Sequence, residues 1–220
     1  MIYDLVIYNG TILTENETDD VIANGLICIK GARLARIESR PPDTPLPVAA
    51  ETIDAAGGLI MPGLLNTHTH LPMTLFRGLA DDLPLDTWLN EYIFPAENRH
   101  INPETVRVGT LLAIAEMLLS GTTTCCDGYF YEDVVAAAVE PTGLRALVGQ
   151  GVIDFPAPGV PDPSRNLGTA ADFLNRWKDR HPMITPSVFC HSPYTCSPST
   201  LEATKTLSLE PGGLFLSLIH

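Results

Sequence analysis

Two hydrophobic rhythms divide the chain. From residue 1 to about residue 58, short apolar runs alternate with turn residues. Asp4-Leu5-Val6-Ile7-Tyr8 and Leu26-Ile27-Cys28-Ile29 read as strands, and Asn9-Gly10 and Lys30-Gly31 follow them as turn signals. Pro41, Pro42, Pro45 and Pro47 make the segment behind them a loop. From residue 59 onward, strand-like runs alternate with helical stripes, the pattern of a βα barrel. Barrel strands are expected at 59–68, 122–127, 145–150, 184–190 and 214–219. One helix opens at Pro103-Glu104 behind an Asn102 cap and stops at Gly121. A second spans Glu132 to Val139. A third carries Ala170, Phe173, Leu174 and Trp177, and a fourth starts near Pro198 and carries Leu201, Ala203 and Leu207. Their apolar stripes read as core. The change of rhythm predicts two domains, 1–58 and 59–220. The Pro-rich run 156–163 follows the third barrel strand, where a loop either shapes a pocket or is a plain surface connection.

The apolar run Leu59-Ile60-Met61-Pro62-Gly63-Leu64-Leu65 leads into Asn66-Thr67-His68-Thr69-His70. Residues i and i+2 of a strand share a face, so both imidazoles would meet at the strand's C-terminal end. Neutral imidazole is the commonest ligand for zinc and related metals. The bare spacing is a weak signal, since a solvated strand end or a core histidine gives the same pattern.

The longer run Met61-Pro62-Gly63-Leu64-Leu65-Asn66-Thr67-His68-Thr69-His70 resembles the first metal-binding strand of the amidohydrolase superfamily. Residues 71–85, Trp88-Leu89, Ile93-Phe94-Pro95-Ala96-Glu97, Gly121-Thr122-Thr123-Thr124 and His191-Ser192-Pro193-Tyr194-Thr195-Cys196-Ser197 resemble the 5-methylthioadenosine/S-adenosylhomocysteine deaminases within it. The resemblance implies an α/β fold: a TIM-type (β/α) barrel, here with about five of its eight strands, preceded by half of a small β-sandwich. It implies hydrolytic deamination of an adenosine derivative with release of ammonia, and a divalent metal cofactor, zinc or else ferrous iron. His68, His70 and His220, the last at the end of the fifth barrel strand, match the family's metal ligands. Glu97 matches a glutamate that accepts hydrogen bonds from ribose hydroxyls. Trp88 matches a tryptophan near the nucleoside, and His191 a histidine bonded to the purine. Gln150 stands where some members carry an arginine suited to a substrate carboxylate. A neutral amide there points to methylthioadenosine, or another adenosine derivative without a carboxylate, with Arg165 as the substitute cation if a carboxylate is bound. The family's carboxylate ligand and proton-transfer groups match nothing in residues 1–220. The sequence therefore reads as the front part of a longer protein, inactive alone. Two rivals stand beside this reading. One is a related hydrolase of the guanine or cytosine deaminase or triazine chlorohydrolase kind, and the other is a noncatalytic fragment that binds metal or a partner subunit. Glu97 and Trp88 favour a nucleoside, because a free base has no ribose to hold.

Composition narrows the partners. At 220 residues and 45% hydrophobic, the chain can bury a core. A net charge of -13 argues against nucleic acid and leaves room for a small-molecule substrate, which the resemblance implies is a purine nucleoside. The sequence is compatible with a homo-oligomer. It has no apolar stretch of about 18 residues that would span a membrane, and no signal peptide. Five cysteines without a C-x-x-C suit reduced thiols in a cytoplasmic protein. Adjacent Cys125 and Cys126 read as strand core. His100 and His181 read as surface residues without a role.

Overall fold

A computed structural model describes residues 2–209 and 214–217. The chain divides into two units, Met1–Gly63 and Leu64–His220. The first holds strands β1 (Tyr3–Leu13), β2 (Val21–Lys30), β3 (Arg33–Ser39), β4 (Ala49–Asp54) and β5 (Leu59–Ile60). They form one mixed sheet of order β3-β2-β1-β4, with β5 also on β1. β1, β2 and β3 pair antiparallel through hairpins, while β4 and β5 run parallel to β1. Lys30-Gly31 is a turn as expected: Gly31 takes φ +58, and its amide donates to Asp4 Oδ2 at 2.6 Å. Asn9-Gly10 is not. β1 runs straight through it with a register shift between Tyr8 and Gly10, and Asn9 sits at φ 60. A left-handed Asn suits a bulge as well as a turn, so the same local signal has two structural outcomes. Val6, Leu26 and Cys28 are the buried core of this sheet.

In the second unit β6 (Leu64–Thr69), β7 (Thr122–Tyr129), β8 (Arg145–Val152), β9 (Ile184–Cys190) and β10 (Leu214–Leu216) form a five-stranded sheet of order β10-β9-β8-β7-β6. Every neighbouring pair in it is parallel. With its connecting helices this is part of a (β/α) barrel. The strand expected over 59–68 is two strands in two sheets: β5 pairs with β1 and β6 with β7, with Pro62-Gly63 between them. Proline has no amide to give a ladder, so the apolar run cannot continue as one strand. Of the segment 214–219, strand is described only for Leu214–Leu216; residues 218–220, His220 included, lie outside the described residues.

The helices fall where the stripes placed them: α3 (Pro103–Leu119), α4 (Glu132–Val139), α5 (Asn166–Trp177) and α6 (Pro198–Leu209). Asn102 caps α3 by accepting from the amides of Glu104 and Thr105, and Thr105 Oγ1 accepts from the Asn102 amide in return. Earlier, α1 (Leu85–Thr87), a π-helical turn Trp88–Ile93 and α2 (Phe94–His100) run on from one another. Val106, Ile114, Val135, Val148, Phe173 and Trp177 belong to one buried cluster between sheet and helices. Cys125 is part of it, while Cys126 is half-buried.

Glycines on two strands make room for a ring on a third. Gly128 of β7 and Gly149 of β8 are register partners, and Gly151 of β8 is the partner of Phe189 on β9. A Cβ added at Gly128 would lie 2.4 Å from the Phe189 ring, and one at Gly149 would lie 3.0 Å from Phe189 Cβ. Phe189 therefore fills interior space that those strands leave empty.

Candidate active site

A cavity of about 560 Å³ opens at the C-terminal ends of β6 to β9, where the loops of a (β/α) barrel carry function. His68 and His70 line it, with ring centroids 5.4 Å apart and planes at 80°. The i, i+2 spacing brings the two imidazoles together, as the sequence predicts. His70 Nδ1 lies 2.6 Å from the carbonyl oxygen of Gly128. A carbonyl can only accept, so Nδ1 carries the proton and Nε2 keeps its lone pair. Burial above all lowers the pKa of His70, which keeps the ring neutral. A neutral imidazole with its second nitrogen bonded to a carbonyl is the usual state of a metal-binding histidine. Among the described residues no group of three His, Cys, Asp or Glu converges on a metal position. His220, the expected third ligand, is outside them.

Glu97 enters from α2. It is 5% exposed, and the Tyr129 hydroxyl donates to its Oε1 at 2.6 Å. Burial raises its pKa to about 7, against the lowering effect of that hydrogen bond. Trp88, on the π-helical turn, lines the same cavity with Leu85, Leu89 and Ile93, so its wall is an indole on an apolar bed. His191, the residue after β9, lines it too. One nitrogen of that ring, Nδ1, lies 2.8 Å from Thr195 Oγ1, and burial pushes its pKa down to about 4. Neutral at ordinary pH, it can donate or accept toward a ligand.

Gln150 and Arg165 stand apart from these five. Gln150 is buried and does not line the cavity; its Oε1 accepts from the Glu132 amide at 3.4 Å and its Nε2 donates to Gly151 O at 3.4 Å. Arg165 is exposed, at the end of the 3-10 turn Pro163–Arg165. The Pro-rich segment does border a pocket. Pro156, Ala157 and Pro158 line a second cavity of about 280 Å³ that shares Phe94, Glu97, Phe130 and Ile153 with the first.

The loops after β8 and β9 are tied to each other. The Asp154 amide donates to Thr195 O at 3.0 Å. Its carboxylate accepts from the Ser197 amide at 2.6 Å and from Thr200 Oγ1 at 2.7 Å. Burial raises the Asp154 pKa, but these bonds outweigh it and the net shift is downward.

Sequence reading missed Tyr129, which holds Glu97, and two buried acids behind the histidines, Asp127 and Glu132. Asp127 did leave a trace, as an acid inside the strand run Thr122-Thr123-Thr124-Cys125-Cys126-Asp127-Gly128-Tyr129.

A profile of the amidohydrolase family matches residues 59–210. The chain belongs to the amidohydrolase family. It is 42% identical over 207 residues to the 5-methylthioadenosine/S-adenosylhomocysteine deaminase 1 of Syntrophus aciditrophicus, covering 94% of this chain and 46% of that protein. It is also 42% identical over 205 residues to the 5-methylthioadenosine/S-adenosylhomocysteine deaminase of Thermodesulfovibrio yellowstonii, covering 90% and 46%. The chain thus spans under half the length of these curated relatives. The crystal structure of an adenosine deaminase from Xanthomonas campestris with bound zinc superposes with a TM-score of 0.92 at 35% identity, over 98% of this chain and 49% of that one. A guanine deaminase from C. acetobutylicum shares the fold, with a TM-score of 0.82 at 20% identity. Among the described residues no helix is long and apolar enough to cross a membrane.

Proposed function

We propose that this amidohydrolase is a metal-dependent aminohydrolase that removes the amine of an adenosine derivative as ammonia. The observation that carries the reading is the shared cavity: three imidazoles, a buried carboxyl and an indole face one largely apolar space. The names of the similar deaminases and the zinc in the Xanthomonas campestris enzyme support the substrate class and the metal. His68 and His70 would hold the metal, joined by His220. When bound, a divalent metal supplies a water whose pKa is lowered toward about 7. The chain's own residues orient the ligand histidine and hold the nucleoside. Gly128 O fixes the tautomer of His70. Trp88 covers a flat ring with its indole face. His191 bonds to a purine nitrogen or amine as a neutral ring. Glu97 offers Oε2 to a ribose diol while Tyr129 occupies Oε1. Gln150 and Arg165 lie away from the cavity, and among the described residues no cation lines it, which favours methylthioadenosine over S-adenosylhomocysteine. The reduced thiols fit a cytoplasmic setting, and residues 1–58 would be half of a β-sandwich domain preceding the barrel domain at 59–220.

Ammonia release from methylthioadenosine, S-adenosylhomocysteine, adenosine, guanine and cytosine, measured on a protein extended to the length of the curated relatives, tests the reading; turnover confined to the free bases would refute it. Glu97 adds a pH signature. A carboxylate accepts from a diol and a neutral acid does so poorly. The free protein holds this proton up to a pH of about 7. Affinity for a diol-bearing nucleoside should therefore rise as pH climbs through about 7, and fall by about tenfold per unit below it. The 2′,3′-dideoxy analogue should lack this dependence, as should Glu97→Gln. An identical pH profile for both ligands would remove Glu97 from the diol.

A further inference from the structure

Behind the histidine pair lies a buried acid pair with no cation. Asp127 on β7 and Glu132 at the start of α4 are both 0% exposed. Neither takes part in an ion pair among the described residues. Asp127 Oδ1 accepts from Thr69 Oγ1 at 2.7 Å and from the Leu71 amide at 2.7 Å. These groups flank His70 on either side. Asp127 Oδ2 and both oxygens of Glu132 have no close hydrogen-bond donor among the described residues, and the backbone of Tyr129 gives Glu132 only a looser approach. Yet the two carboxyl groups lie within hydrogen-bonding reach of one another.

Two ionised carboxylates are acceptors only, so as ions they would repel and leave these atoms orphaned. One proton between them turns an orphan acceptor into a donor and satisfies its neighbour. Asp127 already has two donors on its other oxygen, which favours its charged form. Glu132, with only the looser approach of the Tyr129 backbone against full burial and the adjacent Asp127, is the partner that keeps the proton. The local backbone supports this placement: Tyr131 at φ +57 turns the chain sharply between β7 and α4 and sends Glu132 inward.

We infer that Glu132 is a positioning residue: its neutral carboxyl donates a hydrogen bond to Asp127, and Asp127 in turn grips the chain on both sides of His70. The grip sets where the His70 ring stands over Gly128. The inference goes beyond the reading of the cavity, and only its metal arm rests on His68 and His70 being ligands.

Infrared spectroscopy tests the proton directly, because the carbonyl stretch of a neutral carboxylic acid is separate from that of a carboxylate. At a pH of about 9, where Glu97 is ionised, a neutral-acid band should be present in the unaltered protein, persist in Glu97→Gln and vanish in Glu132→Gln. The amide of Glu132→Gln can still donate to Asp127, so this variant should retain zinc affinity. Glu132→Leu cannot donate, and should lose about 10- to 100-fold in zinc affinity, the usual cost of removing an outer support of a ligand. The His70 ring resonances should shift in Glu132→Leu and stay in place in Glu132→Gln. A band untouched by Glu132→Gln, or full zinc affinity with unshifted His70 resonances in Glu132→Leu, would overturn the inference. Absence of zinc binding in the unaltered protein would defeat the metal reading alone, and the band and the resonances would still decide the role of Glu132.

Discussion

Replacing His70 by alanine is expected to lower zinc affinity by more than about a hundredfold, because losing a ligand must exceed the cost of losing an outer partner of one. A single hydrogen bond prepares this ring. Gly128 O takes the Nδ1 proton of His70 at 2.6 Å, which leaves Nε2 as the basic atom, and burial keeps the ring uncharged. No protonation has to be reversed before such a ring binds a metal. His68→Ala should behave alike, since its ring is the one that meets His70 in the cavity. His191→Ala should keep its metal, because Thr195 already engages that ring and its proposed partner is the purine. Metal content after dialysis against a chelator, together with the rise in unfolding temperature on adding zinc, reads all three. Normal metal content in both His68→Ala and His70→Ala would end the proposal of a metal site here.

The second large effect is expected at a residue with no side chain. Gly128→Ala places a methyl 2.4 Å from the Phe189 ring, well inside contact distance. Overpacking of this kind costs about 1–3 kcal/mol, or a fall in Tm of about 2–10 °C for a chain of this size. The damage should also reach function, because the carbonyl of Gly128 orients His70. Gly128→Ala with Phe189→Leu should recover part of the loss, as neighbours that share one space are not additive. Gly168→Ala is the control: nothing lies within 4 Å of its added Cβ, and in helix α5 alanine should be neutral or stabilising. Equal Tm changes for Gly128→Ala and Gly168→Ala would mean that Phe189 yields freely.

Much of this arrangement is legible in the sequence, and the failures have physical causes. The parity of His68 and His70 is a property of one strand, so two residues suffice to read it. The cap at Asn102 and the stripes of α3 to α6 are likewise local. Sheet membership is not: the run at 59–68 opens with seven residues that carry no charge or amide side chain, and hydrophobicity records burial without saying which sheet provides it. The placement of Gln150 away from the cavity is hard to read for a related reason. It sits on β8 as register partner of Tyr129, and whether that side faces the cavity or α4 depends on how the sheet curves. Glu97 is recognisable by motif, but its hydroxyl partner Tyr129 lies 32 residues away, beyond any local pattern. The acid pair is hidden because an isolated Asp in a strand and a Glu opening a helix are each ordinary by themselves.

Asp154 makes one mechanical body of the two loops that border the cavity. Its amide and carboxylate clasp Thr195, Ser197 and Thr200, so neither loop can swing outward while the other stays in place. Breathing of the rim becomes a single cooperative event rather than two independent ones. The amides of Asp154 and Ser197 should then exchange with deuterium at a common rate.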